Sequence, residues 1–98
     1  MISKQKLEKI KKICHKEPIE YLGLFGSMAR NEQTKGSDVD LLIRYKGAFR
    51  LSISDHIKIE EQFKSALNRD VDLVTEKSVN ERLKPYIYKD LVTIYGKR

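Results

Sequence analysis

The sequence predicts an α/β (α+β) fold, a small mixed β-sheet with helices packed on it. Three observations carry that prediction. Two stretches, Ser3 to about His15 and Ser52 to Leu67, repeat apolar residues at helical spacing. Three short apolar runs, Tyr21–Phe25, Asp38 to about Tyr45 and Val71–Thr75, have the length and turn boundaries of strands. The two kinds of segment alternate along the chain, as they do when helices connect the strands of one sheet.

In the first helix, Leu7, Ile10, Ile13 and Cys14 form the inward stripe, and Lys4, Lys6, Lys9, Lys11 and Lys12 occupy the remaining surface. No aromatic residue interleaves these lysines, so the stretch lacks a stacking surface for single-stranded nucleic acid. Pro18 closes the region. In the second helix His56, Ile59, Phe63, Ala66 and Leu67 face inward, and Ser52 with Asp55 resembles a capping box. His56 at the edge of that stripe reads as structural, and neither His15 nor His56 has a partner at metal-site spacing. Lys35-Gly36-Ser37 and Lys46-Gly47-Ala48 read as loops, and Asn68-Arg69-Asp70 as the turn into the third strand. Ser78 or Asn80 is a candidate start for a short helical segment, and Pro85 for another. Leu91 to Tyr95 is apolar and β-branched, consistent with a fourth, edge strand.

With 98 residues the chain is expected to form one domain, residues 1–98. Such a domain buries roughly 60–68% of its unfolded surface, leaving little for a second domain. The 40% apolar and 35% charged composition excludes an intrinsically disordered chain. No apolar run approaches a membrane span, and Met1 to Lys6 lacks the apolar segment of a secretory signal. One cysteine excludes an internal disulfide, so the reducing cytoplasm is the expected compartment. The net charge of +6 suits an anionic partner without choosing among nucleotide, nucleic acid and acidic protein.

The chemistry concentrates between Leu22 and Arg44. A short strand ends at Gly26, Ser27 stands where a helix through Met28, Ala29 and Arg30 would begin, and Asp38-Val39-Asp40 follows after ten residues. A glycine there permits close backbone approach, and free N–H groups at a helix start can hold a phosphate. On a strand, Asp38 and Asp40 share one face while Val39, Leu41 and Ile43 take the other. Carboxylates so spaced lie roughly 7 Å apart, and at an effective dielectric near 20 they repel by about 2 kcal/mol. A hard divalent cation removes that repulsion, and Mg²⁺ favours one or two carboxylates plus substrate phosphates. A metal–nucleoside triphosphate complex fits both halves of the stretch.

Gly26-Ser27, the ten-residue spacing, Asp38-x-Asp40, Arg30 and the run Leu41-Leu42-Ile43 resemble the signature of the polymerase beta-like nucleotidyltransferase superfamily. Asp72, within Val71-Asp72-Leu73-Val74, sits where that family carries a third carboxylate. The chain is little more than this core, and is similar to the minimal nucleotidyltransferases, antitoxins that adenylylate a partner HEPN-domain ribonuclease. The resemblance implies Mg²⁺-dependent transfer of AMP from ATP, with two ions, to a tyrosine of a HEPN toxin. It implies Asp38, Asp40 and Asp72 as metal ligands, with Asp72 also accepting the hydroxyl proton, and Gly26 and Ser27 as the phosphate cradle. Arg30 either contacts phosphate or braces the loop by pairing with a carboxylate. Two other functions stay open: a binding-only antitoxin that masks the toxin, and a small-molecule nucleotidyltransferase of the aminoglycoside-inactivating type, which would need a second domain or partner. Direct nucleic-acid binding is disfavoured, because three strand aspartates repel phosphate unless metals intervene.

Overall fold

The computed structural model describes residues 2–32, 36, 38–47 and 52–98. Parts of the two expected loops, Lys35 and Ser37 in one and Ala48 in the other, lie outside the described residues. The elements are α1 (Lys4–Lys16), β1 (Ile19–Phe25), β2 (Val39–Tyr45), α2 (Ile53–Leu67), β3 (Val71–Thr75), a 3₁₀ turn at Glu76–Ser78, α3 (Lys84–Asp90) and β4 (Val92–Tyr95). The strand order is β3-β2-β1-β4, with β1 antiparallel to both β2 and β4 and β2 parallel to β3. The parallel pair needs a crossover, and α2 supplies it.

Each helix starts and stops for a local reason. The Ser3 hydroxyl accepts from the Lys6 N–H to cap α1. A reciprocal capping box opens α2: the Ser52 hydroxyl accepts from the Asp55 N–H, and the Asp55 carboxylate accepts from the Ser52 N–H. Asn68 ends α2 in the left-handed conformation. Pro85 stands in the first turn of α3, where its missing N–H costs nothing. The segment after β3 forms the 3₁₀ turn, and Asn80 starts the next turn, its side chain accepting from the Arg82 N–H.

The helix expected through Met28–Arg30 does not form. Residues 27–31 make a single turn, closed by bonds from the Arg30 N–H to the Gly26 carbonyl, from Asn31 to Met28 and from Glu32 to Ser27. The last two bonds, with Asn31 at a φ of 62°, make a Schellman-type stop that ends the helix after one turn.

The core lies between one face of the sheet and the two long helices. Ile10 and Cys14 of α1 and Ile59, Phe63 and Leu67 of α2 pack on Ile19, Leu22, Leu24, Val39, Leu41, Ile43, Val71 and Leu73. Burial pushes the Cys14 thiol up to about 12, so it behaves as an apolar core group. Lys4, Lys9, Lys11 and Lys12 are exposed. On the opposite face Leu42 is also buried, although it alternates with Asp40 and Arg44. Its register neighbour Gly23 explains this: a Cβ there would come within 2.5 Å of Leu91 Cδ1, so the chain leaving α3 lies directly over the sheet. No helix among the described residues is long and apolar enough to cross a membrane.

Ser52→Ala removes the acceptor of the α2 capping box. It is expected to cost about 1 kcal/mol, a fall in Tm of roughly 4–8 °C in a domain of this size. Because α2 begins at the sheet end remote from Asp40, nucleotide affinity should not change. Thermal melts and nucleotide titration of the same preparation check both halves, and an unchanged Tm would mean that the cap is energetically idle.

Candidate active site

The sheet register gathers the acidic residues. Asp40, second residue of β2, pairs with Phe25 of β1 on one side and with Asp72 of β3 on the other. Asp38 stands one residue before β2 and is exposed. Because side chains alternate along a strand, Asp40 and Asp72 turn away from the core that holds Val39, Leu41, Val71 and Leu73. Asp72 is exposed and Asp40 half-buried. Burial raises the pKa of the Asp40 carboxyl above its ordinary value, and the nearby charges of Asp72 and Asp38 raise it further, while Arg30 opposes them. Asp40 therefore feels both other carboxylates and stands between them.

Gly26 ends β1 against this cluster. It has a φ of +77°, and a Cβ on it would overlap the Asp40 carboxylate oxygen Oδ2. Both the backbone conformation and the approach of Asp40 demand glycine. In the turn that follows, Arg30, Asn31 and Glu32 use their N–H groups on carbonyls of Gly26, Met28 and Ser27. Among the described residues, the N–H groups of Ser27, Met28 and Ala29 take no backbone carbonyl. A single turn leaves its first donors as free as a long helix does, so the N–H groups expected at a helix start stay available to an anion without the helix.

Arg30 braces the turn. Its guanidinium donates to Glu32 at 3.2 Å and to Asp90 at 2.7 Å, tying the turn to the last residue of α3. Asp90 is separated from Arg30 by 60 positions, and no periodicity or motif links them, so the pair was illegible in the sequence. Arg44, farther along the same sheet face, binds Glu20 and Glu76 and donates to the Lys97 carbonyl at 2.7 Å, holding down the chain end. A cavity of about 400 Å³ lies at the far end of β2, beside Tyr45, His56 and Thr75, and takes in none of the three aspartates.

The donor set fits a hard cation. Among the described residues no three or more His, Cys, Asp or Glu side chains form a ready-made metal cage. An oxygen-only cluster of repelling carboxylates beside free backbone N–H groups instead suits an ion that arrives with phosphates and keeps part of its coordination for them.

Similarity to known proteins agrees with this geometry. The family model described as polymerase beta, nucleotidyltransferase matches residues 8–98. A candidate protein adenylyltransferase of Methanocaldococcus jannaschii, MJ1379, is 37% identical over 93 residues, 93% of this chain and 93% of that one. The protein adenylyltransferase MntA of Thermococcus cleftensis is 26% identical over 99 residues, covering 96% of this chain and 98% of that one. A crystal structure of a toxin–antitoxin with AMP-PNP superimposes with a TM-score of 0.78 at 26% identity, over 94% of this chain and 74% of that chain. From residue 8 to its last residue, this chain belongs to the polymerase beta nucleotidyltransferase family.

Proposed function

We propose that this chain is a single-domain, Mg²⁺-dependent protein adenylyltransferase and the antitoxin of a type VII toxin–antitoxin pair. It moves AMP from ATP to a tyrosine hydroxyl of a cognate HEPN ribonuclease toxin and so neutralises it in the cytoplasm. The observation that carries the reading is the register of Asp40 opposite Asp72, beside a glycine turn with free N–H groups. Two relatives named for transfer of adenylyl groups to protein, and the toxin–antitoxin with AMP-PNP, support a protein acceptor and an ATP substrate.

In this mechanism Asp38 and Asp40 would hold the Mg²⁺–triphosphate, and Asp72 would complete the ligand set toward the acceptor. The Ser27 hydroxyl and the free amides of the turn cradle the β- and γ-phosphates, and Arg30, fixed by Asp90, adds positive charge alongside. Bound Mg²⁺ would neutralise the phosphates and acidify the acceptor hydroxyl. The acceptor oxygen bonds to the α-phosphorus as the bond to the bridging oxygen breaks. Diphosphate leaves, and the hydroxyl proton passes to Asp72, directly or through water.

Three outcomes test the assignment. Asp72→Asn should bind Mg²⁺–ATP about as well as wild type yet lose transfer, whereas Asp40→Asn should lose both. Calorimetry and incorporation of labelled AMP into the co-expressed toxin separate the two, and wild-type transfer by Asp72→Asn would reduce Asp72 to a solvated edge-strand residue. Gly26→Ala should disable transfer more than Ser27→Ala, because it displaces Asp40 whereas the serine change leaves the backbone donors in place. Full transfer by folded Gly26→Ala would move the phosphates elsewhere.

The third outcome concerns pH. The native state holds the Asp40 proton to higher pH than the unfolded chain does. Its contribution to stability is therefore fully present below the unfolded pKa and is lost as pH rises through the folded pKa. Metal-free Asp40→Asn should then melt above wild type at neutral pH, with the gap closing below about pH 4. Melts in EDTA across that range check this, and a variant less stable than wild type at neutral pH would refute the mutual repulsion.

A further inference from the structure

β3 is an edge strand, and among the described residues one side of its backbone has no neighbouring strand. The Val39 N–H donates to the Asp70 carbonyl at 2.9 Å, so residues 70 and 72 turn their backbone groups toward β2, and Leu73 turns its own outward. Such groups ordinarily face water and invite another strand. Here α2 takes both of them. The Leu73 N–H donates to Glu60 Oε2 at 3.2 Å, and His56 Nε2 lies 3.0 Å from the Leu73 carbonyl oxygen.

A carbonyl only accepts, so His56 Nε2 carries the proton. In the neutral imidazole Nδ1 then accepts from the Tyr45 hydroxyl at 2.8 Å. Burial, helped by the charges of Glu17 and Glu60, pushes the Tyr45 phenol up to about 12, so it keeps the proton it needs to donate. The second oxygen of Glu60 lies 3.8 Å from Lys64 Nζ. A half-buried histidine and glutamate, each satisfied, thus reach across to one residue of one strand.

That residue is the sequence neighbour of Asp72. Leu73 is 5% exposed in the core, and Asp72 points to the opposite face. A slip of one residue in this short strand would turn Asp72 toward the helices and bring a leucine or valine beside Asp40. We infer that Glu60 and His56 are positioning residues for transfer: by gripping both backbone groups of Leu73 they hold β3 in the register that sets Asp72 beside Asp40. The inference rests on the role proposed above for Asp72, whereas the grip itself is independent of it.

The test uses two pairs of variants in the full chain. Glu60→Ala and His56→Leu remove the grip, while Glu60→Gln keeps a carbonyl acceptor and His56→Gln keeps an N–H donor. Amide hydrogen exchange of the metal-free protein should accelerate about tenfold or more at residues 72–74 in the first pair, and stay near wild type in the second. With labelled ATP, Mg²⁺ and the cognate toxin, the first pair should lose about tenfold or more in kcat with KM for Mg²⁺–ATP within about twofold. The glutamine variants should restore most of the rate. Unchanged exchange at residues 72–74 overturns the grip whether or not the wild type transfers AMP. Accelerated exchange with unchanged kcat, or a rate loss that only follows the unfolded fraction, overturns positioning and leaves simple edge protection. A wild type without transfer refutes the enzymatic reading alone, because the exchange comparison still decides the grip. Should Glu60→Ala or His56→Leu fail to fold, Glu60→Asp, with its shorter reach, supplies the same comparison.

Discussion

The carboxylate of Asp40 lies against the Cα of Gly26, and much of the site follows from that contact. A side chain at residue 26 would overlap it, and the positive φ at the same position turns the chain out of β1 into the one-turn loop. The contact exists because β1 and β2 pair with Phe25 opposite Asp40. One register therefore decides where the strand ends, which amides are left free and where the central carboxylate stands. The molecule keeps like charges together at that point: burial and two neighbouring carboxylates all oppose ionisation of Asp40. The stability that tolerates this comes from the other face of the same strands, where Val39, Leu41 and Ile43 are fully buried under α1 and α2.

The rest of the face that carries Asp40 is shaped by the second half of the chain. Arg30 reaches Asp90 at the end of α3, and Leu91, the next residue, lies over Gly23. One ion pair and one apolar contact, a residue apart, thus seat α3 and β4 against β1. The pair is partly exposed, and surface pairs of this kind are worth little in stability. Its consequence is geometric, since it limits where the guanidinium can go relative to the turn that carries it. Arg44 does the same at the other end, joining β1, β2, the 3₁₀ turn and the chain end through Glu20, Glu76 and Lys97.

Leu83, Tyr86 and Val92 remain exposed on or beside α3 and β4. They are ordinary in number for a small domain, which lacks the polar surface to cover every apolar side chain.

Most elements were legible in the sequence, because their causes are local. Ser3 and Ser52 cap helices through neighbours three residues away, and Asn68 ends one by taking a conformation open to few residues. The strands declared themselves as short apolar runs bounded by turns, and Asp40 was placed opposite Val39, Leu41 and Ile43 by period alone. The one helix that failed, at Met28–Arg30, failed for a reason almost as local: Asn31 adopts the left-handed conformation and closes the turn at once. An asparagine permits that stop without requiring it, so the sequence left the length of the helix open. What only the tertiary structure decided is which distant groups meet. The pairing of Asp40 with Asp72, the Arg30–Asp90 brace and the reach of Glu60 and His56 to Leu73 join positions with no shared period. They depend on strand order and on how α2 and α3 lie against the sheet, which packing sets and local chemistry does not.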